Sequence, residues 1–354
     1  MTSEKATSSI PNGRLASLDG MRGIAALMVA LYHWGFVAEP IARPGYLAVD
    51  FFFALSGYIL ALIYAERLSI VLWSLQFMAL RIIRFYPIYF AGYCLGMLRN
   101  FAMVVSDSPN AKEGLSWVLA AGFGLFMLPL PFEAGRLFPL NVPAWTLFLE
   151  LAVNLLFALG MVRWSSAVLV AIMVASAAAL LGLTGPPLHF DVGYSGETFL
   201  LGVARLGFSF PVGLLLFRAM QGMERRQSVL AFVPMIGLSL CLFFEAPPEY
   251  RGQWEALCVF IVFPLFLAGG IKYELPNWAA PTFLFLGGVS YAVYAIHGPL
   301  ILFIYKAVEW AGLGFYPGVF IYLAVLLCAS HLLTVYFDGP VRKGFSRWRS
   351  KRAA

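Results

Sequence analysis

Two ionisable residues, Arg22 and His33, lie in the first apolar stretch of the chain, eleven residues apart in "LDGMRGIAALMVALYHWG". Such groups are costly inside a membrane, and those that occur there usually serve a function. On an α-helix their Cα atoms are about 16 Å apart at 1.5 Å per residue. With Arg22 near one membrane face, His33 lies beyond the middle of a hydrocarbon core about 30 Å thick. A histidine at this depth suits a general base, and helix packing is the alternative interpretation.

Further polar residues fall in other apolar stretches. Asp50 begins the second stretch at a depth close to that of His33, and His297 falls level with His33 in "LGGVSYAVYAIHGPLILF". Glu150 has no basic neighbour in sequence and must find a partner in space. A carboxylate beside an imidazole fixes its tautomer and raises its basicity. We therefore predict His33, Asp50 and Glu150 as catalytic residues, Trp145, Ser290, Tyr291 and His297 as acceptor-binding or supporting residues, and no metal site.

An arginine pair, Arg81 and Arg84, stands at the start of the third long apolar stretch in "LRIIRFYPIYF". Residues three apart share one face of a helix. Two guanidinium groups on one face suit the binding of a phosphate or pyrophosphate. Anchoring of the helix at the cytoplasmic face is the alternative. We predict a donor-binding set of Arg22, Arg81 and Arg84.

The composition places these residues in a membrane. The chain has 354 residues, of which 61% are hydrophobic and 12% charged, with a mean hydropathy of +0.82. A soluble domain carries about twice that charged fraction. The apolar stretches lack the alternation of a β-barrel, so we predict an all-α polytopic membrane protein. The net charge of +6 lies largely in the C-terminal tail, where it indicates orientation and not nucleic-acid binding.

Apolar stretches long enough to span a membrane define one membrane domain. We predict about ten transmembrane helices and one short re-entrant or interfacial segment at 115–131, which is short and rich in glycine and proline. The domain covers 18–340, between an N-terminal tail (1–17) and a basic tail (341–354). Basic residues place both termini in the cytoplasm. The eleven stretches are 22–38, 46–65, 81–105, 115–131, 143–162, 165–184, 198–218, 229–245, 255–271, 282–305 and 317–337.

Taken in order, five segments resemble the membrane acyltransferase-3 family, of the stand-alone type. They are the Arg-x10-His pair of Arg22 and His33, then "GYLAVDFFFALSGY", "RIIRFYPIYF", "AWTLFLE" and "LGGVSYAVYAIH". The resemblance implies His33 as the central catalytic histidine and the pair Arg81 and Arg84 on the coenzyme A side. It also implies transfer of an acyl group, usually acetyl from acetyl-CoA, to hydroxyls of extracytoplasmic carbohydrates such as exopolysaccharide or lipopolysaccharide.

Three positions depart from the family pattern. Thr146 replaces the usual serine after the tryptophan, and Leu151 stands where a second glutamate is common. Asp338, in "YFDGPVRK", replaces the glutamate of the last family element. The Arg-x10-His core is intact.

The expectation is a multi-pass O-acyltransferase of the bacterial inner membrane, with His33 as general base assisted by Asp50 or Glu150. Its partners are the lipid bilayer, acyl-CoA as donor substrate and a carbohydrate acceptor; no permanently bound cofactor and no nucleic acid are expected. Direct transfer and an acyl-histidine intermediate both remain open. The alternatives are a transporter or flippase of a cell-envelope glycan precursor, an enzyme that acylates a small molecule such as a macrolide, and a non-catalytic scaffold.

Overall fold

Most of the described chain is helical. The computed structural model describes residues 14–65, 71–131, 135–184 and 188–353. Most of the predicted N-terminal tail lies outside these residues. The α-helices in chain order are α1 (Ala16–Trp34), α2 (Ala48–Tyr64), α3 (Val71–Val105), α4 (Gly114–Leu125), α5 (Ala144–Ala158), α6 (Ser166–Leu183), α7 (Phe199–Ala219), α8 (Phe232–Phe243), α9 (Arg251–Leu257), α10 (Phe263–Lys272), α11 (Ala280–Trp310), α12 (Phe315–Leu332) and α13 (Gly339–Ala353).

Short non-α turns join some of these helices into longer rods. A 3-10 turn at Arg43–Leu47 leads into α2, and one at Val229–Ala231 leads into α8. A π-helical turn at Cys258–Val262 joins α9 to α10, and another at Leu333–Asp338 joins α12 to α13.

Seven helical rods of the described chain are long and apolar enough to cross a membrane. The predicted all-α polytopic fold class is confirmed. The rods are Arg43–Tyr64, Leu75–Val105, Ser166–Leu183, Phe199–Ala219, Pro248–Lys272, Ala280–Trp310 and Phe315–Trp348.

Three further apolar helices are shorter, where the sequence predicted one short segment: Gly114–Leu125, Ala144–Ala158 and Val229–Phe243. The predicted short segment at 115–131 contains α4, whose 12 residues extend about 18 Å at 1.5 Å per residue. Pro143 begins α5 and Gly160 follows it, and an extended Phe244 ends α8. Because of these local breaks, the helices are shorter than the apolar stretches that hydropathy predicts.

Tyrosines of α3 hold α4 in place. Tyr86 and Tyr93 each donate a hydrogen bond to a carbonyl at the C-terminal end of α4, at 2.9 Å. Tyr89 donates to a third, that of Gly124. The carbonyl of Leu125 is among the last of α4, which have no partner within the helix, and Tyr86 supplies one. The other two phenols give a second donor to carbonyls that the backbone already bonds.

Helices α1 and α11 form the central pair and run in the same direction. Their backbones are close because each helix places a glycine against the other: a Cβ added at Gly23 would lie 2.6 Å from Leu286, and one at Gly287 would lie 2.4 Å from Asp19. Small residues permit this close approach of membrane helices. As a result, the polar residues of α1 lie directly against those of α11.

At the end of the bundle where α1 begins, a short parallel β-bridge pairs Arg226–Gln227 with Tyr273–Glu274. Arg225 binds Glu274 at 2.9 Å and Ser17 at 3.0 Å. We call this the arginine end, because Arg81 and Arg84 lie in the same half. The opposite end, where α1 finishes at Trp34, is the histidine end.

Candidate functional site

The structure brings His33 of α1 and His297 of α11 together near the histidine end. Nε2 of His297 lies 3.2 Å from Nδ1 of His33, and the ring centroids are 4.8 Å apart. His297 is fully buried, whereas His33 is partly accessible. The close packing of α1 against α11 produces this contact.

Backbone carbonyls determine the tautomers of the pair. Nδ1 of His297 lies 2.7 Å from the carbonyl oxygen of Tyr294 and 3.2 Å from that of Val293. Because a carbonyl only accepts, this nitrogen carries the proton and Nε2 of His297 is an acceptor. Nδ1 of His33, which also lies 2.9 Å from the carbonyl oxygen of Val29, is then the donor. Nε2 of His33 keeps its lone pair, as a general base requires.

Asp50, expected beside His33, lies elsewhere. Its carboxylate pairs with Arg205 of α7 at 2.6 Å, and each side chain is 1% exposed. Ser209 adds a long hydrogen bond at 3.5 Å. Among the described residues no carboxylate hydrogen-bonds to His33, whose ring contacts another histidine instead.

Glu150 also lies away from His33, on the side of the arginines. It accepts a hydrogen bond from Ser56 of α2 and lies 3.7 Å from a guanidinium nitrogen of Arg81. The guanidinium carbon of Arg81 stands 4.8 Å from the ring centre of Phe85. Glu150 therefore balances an arginine in the buried interior, one of the two roles that its sequence position left open.

Arg22 of α1 forms hydrogen bonds with α11 and with Asp19. Its Nε donates to Ser290 at 2.9 Å, and its Nη2 donates to the carbonyl of Gly287 at 2.6 Å and to Asp19 at 2.8 Å. Ser290 is thus a partner of Arg22. These bonds hold the guanidinium toward the arginine end, away from the histidines.

Arg84, like Arg81, makes no hydrogen bond to any described residue, and unlike Arg81 it also forms no ion pair with a described carboxylate. Three other arginines, Arg22, Arg81 and Arg342, act on it electrostatically, and Asp338 is the opposing charge. Tyr291 lies nearby and donates to the carbonyl of Phe85 at 2.6 Å. Like charges held together without enough counter-charge favour an anionic ligand.

Trp145 packs beneath a loop at the histidine end. A Cβ at Gly193, whose φ is +112°, would lie 2.6 Å from the indole ring. The guanidinium carbon of Arg205 is 5.7 Å from the ring centre on another side. Trp145 therefore supports the loop and the buried ion pair.

Two arginines of these networks were missed by the sequence analysis. Arg205 stands in the interior of the stretch 198–218, and an isolated intramembrane arginine requires a buried carboxylate, which here is Asp50. Arg342 was counted with the basic tail, although it binds Asp338 at 3.1 Å, four residues earlier. The required charge balance was the available signal for Arg205, and the i, i+4 spacing was the signal for Arg342.

Comparison with known families identifies the family of the chain. The acyltransferase domain family Acyl_transf_3 matches residues 15–337, which include both histidines and the pair Arg81 and Arg84. The chain belongs to the acyltransferase-3 family. It is thus a multi-pass membrane acyltransferase, as its apolar helices and the resemblance of its motifs indicated.

A relative of this acyltransferase is "Protein 2 in picA locus" of Rhizobium radiobacter. The two are 36% identical over 172 residues, which are 45% of this chain and 86% of the relative. No solved structure matches the chain.

Proposed function

We propose that the acyltransferase moves an acyl group, by default acetyl, from cytoplasmic acyl-CoA to a hydroxyl of an extracytoplasmic carbohydrate such as exopolysaccharide or lipopolysaccharide. The arginine end faces the cytoplasm, where both termini lie, and the histidine end faces outward across the bacterial inner membrane. The distribution of basic residues supports this orientation.

The observation that carries the proposal is the histidine pair. Nδ1 of His297 is held by two carbonyls, so the pair leaves Nε2 of His33 without a proton. His33 is also the partly accessible member of the pair. This is the arrangement expected of a base that meets a hydroxyl from outside while its second nitrogen is oriented from inside.

The arginine end supports acyl-CoA as the donor. Arg84 has an unpartnered guanidinium among other cations, which suits the phosphates of coenzyme A. Arg22 and His33 are about 16 Å apart along α1 at 1.5 Å per residue, roughly the reach of an extended pantetheine arm. A donor bound at Arg84 therefore presents its thioester near the histidines.

In the proposed reaction, Nε2 of His33 takes the proton of the acceptor hydroxyl. The hydroxyl oxygen attacks the thioester carbonyl, the carbon–sulfur bond breaks, and the coenzyme A thiolate leaves with the proton returned by His33. The products are an ester and coenzyme A. General-base assistance of this kind contributes about 10²–10⁴-fold.

The test is acyl transfer by purified protein in nanodiscs, with radiolabelled acetyl-CoA and cell-envelope glycans as acceptor. We compare wild type with His33→Ala and Arg84→Ala, and use His331→Ala as the matched control, because His331 packs on Phe285 in a different part of the bundle. Label should enter glycan with wild type and the control, and fall about 10²–10⁴-fold with His33→Ala.

Three results contradict the proposal in whole or in part. Equal transfer by His33→Ala and wild type removes the histidine mechanism. Equal binding of acetyl-CoA by all variants, with no label moved by any of them, favours a transporter or flippase. Label in an added macrolide and none in glycan would redirect the acceptor to a small molecule.

A further inference from the structure

A short loop segment at the histidine end, Phe190 to Val192, is fixed by two buried charged side chains. Glu255 of α9 accepts a hydrogen bond from the backbone nitrogen of Phe190 at 2.7 Å. Arg205 of α7 donates to the carbonyl of Val192 at 3.0 Å. Glu255 is 2% exposed and Arg205 1%. We call the loop residues 190–192 the strap.

Both charged side chains are themselves anchored to other elements. Glu255 also accepts from the hydroxyl of Tyr46, before α2, and from Arg251 at 2.9 Å. Arg205 also pairs with Asp50 of α2. Burying charges is costly unless they are paired and hydrogen-bonded. Two such networks therefore meet at three loop residues and hold them in place.

The residue held between the two anchors is Asp191, which contacts the residue next to His33. Its Oδ2 accepts a hydrogen bond from the hydroxyl of Tyr32 at 2.6 Å. Tyr32 precedes His33, and their ring centroids are 4.9 Å apart. Asp191 acts electrostatically on the His33 ring as well.

One side of the Asp191 carboxylate remains available. Asp191 is partly accessible, and its Oδ1 has no hydrogen-bond partner among the described residues. An ionised carboxylate accepts hydrogen bonds and donates none, so a group that binds it must donate a hydrogen bond. A carboxylate fixed near the proposed base can accept a hydrogen bond from the substrate. The substrate group that fits is a second hydroxyl, next to the hydroxyl that attacks the thioester.

We propose that Asp191 is the acceptor-positioning residue, and that it binds a hydroxyl adjacent to the one that His33 deprotonates. The acceptor class that fits is a polyol or sugar with neighbouring hydroxyls, in place of a compound with a single isolated hydroxyl. This inference rests on the proposed function. Asp191 takes no proton in the reaction; it orients the acceptor, while Arg205 and Glu255 fix the strap.

The experiment separates acceptor binding from donor chemistry. Wild type, Asp191→Ala, Asp191→Asn and Glu197→Ala are prepared in nanodiscs; Glu197 is an exposed carboxylate of the same loop and serves as the matched control. Each is assayed for transfer of labelled acetyl groups to increasing amounts of envelope polysaccharide. Each is also assayed without acceptor, by acetyl-CoA hydrolysis and by the shift in melting temperature that coenzyme A produces.

We expect the half-saturating polysaccharide concentration to rise roughly 10- to 100-fold in Asp191→Ala, because a hydrogen bond to a charged group is lost. The asparagine variant should show a smaller rise, and Glu197→Ala none. The coenzyme A shift should match that of wild type, and hydrolysis without acceptor should change less than the half-saturating polysaccharide concentration does, which a merely structural role would not predict.

An unchanged half-saturating concentration in both Asp191 variants overturns the inference. So does a parallel fall of hydrolysis and transfer at constant half-saturation, since Asp191 would then act through His33. If wild type hydrolyses acetyl-CoA and His33→Ala does not, the proposed chemistry stands and only the role of Asp191 fails. If wild type moves no label at all, the proposed function fails, and the inference fails with it.

Discussion

Two buried charge clusters, one in each half of the bundle, differ in how completely the protein satisfies them. At the histidine end, all three nitrogens of Arg205 donate to Asp50 or to backbone carbonyls. At the arginine end, Nε of Arg81 is buried without a partner, and its nearest carboxylate contact, with Glu150, is 3.7 Å long. Arg84 makes no hydrogen bond to any described residue.

This difference distinguishes charged side chains that stabilise the fold from charged side chains that are able to bind a ligand. A fully bonded buried pair has no capacity left for a substrate, and its loss leaves an uncompensated charge. An arginine without a partner is costly to the empty protein and gains its hydrogen bonds when an anion binds. We therefore propose a structural role for Arg205 and the binding of the acyl donor for Arg84.

The largest expected effect is on folding, in Arg205→Met. Removing one partner of a buried pair costs about 3–5 kcal/mol of unfolding free energy. The same substitution at Arg84 removes a cation that makes no hydrogen bond to described residues and should leave the empty protein as stable as wild type or more so. Thermal unfolding in detergent, followed by size-exclusion chromatography, measures both.

A double variant, Asp50→Leu with Arg205→Met, sharpens this comparison because it removes both charges. It should recover part of the stability and not all of it, since the carbonyls of Tyr46 and Val192 still lose their donor. Equal destabilisation by Arg205→Met and Arg84→Met would contradict the division of roles.

A smaller effect is expected from Gly193→Ala, in the loop above Trp145. The added methyl group would clash with the indole ring at 2.6 Å, and φ at this position is +112°. Backbone strain and overpacking each cost at least about 1 kcal/mol. The measurement is the melting temperature of the purified variant.

Gly160, after α5 at the arginine end, provides the control. Its φ is +124°, but nothing lies within 4 Å of an added Cβ. Gly160→Ala should show the strain without the clash and so the smaller loss. A loss at Gly160 as large as that at Gly193 would mean that the packing of Trp145 contributes nothing.

The smallest effect is expected from Tyr93→Phe, which removes one hydrogen bond from α3 to α4. The carbonyl of Ala121 then loses its side-chain donor, and the net loss of one hydrogen bond costs about 1 kcal/mol. Hydrogen exchange should accelerate in α4 and stay unchanged in α11. The control is Tyr336→Phe, whose side chain is 74% exposed; acceleration in α11 by Tyr93→Phe would show that α4 is not a separate local unit.

Hydropathy predicted the elements of this fold well because the bilayer imposes a single rule on every span. Each of the eleven predicted stretches overlaps a helical segment of the structure. Lengths were harder to predict: α5 and α8 end at local breaks that a window average does not register. An apolar stretch of a given composition can form a helix that spans the membrane or a helix several residues too short to span it.

The site could be predicted as a set of residues but not as a set of pairs. Depth counting placed His297 level with His33, and the structure brings their rings into contact. The same counting placed Asp50 beside His33, yet lateral position within a bundle depends on which helices are neighbours. Asp50 faces α7, where Arg205 neutralises it. Depth follows from sequence, whereas lateral neighbours follow from packing.

The most direct test of the account is a calorimetric titration of coenzyme A into wild type, Arg84→Gln and Arg218→Gln. Arg218 is the matched control, because its guanidinium already bonds to Ser166 and to the carbonyls of Val162 and Trp164. The account predicts that Arg84→Gln weakens binding roughly 10- to 100-fold, through loss of a charge-assisted hydrogen bond. Arg218→Gln should bind as wild type does. Equal affinity of wild type and Arg84→Gln would contradict the claim that the unpartnered arginine is the donor site.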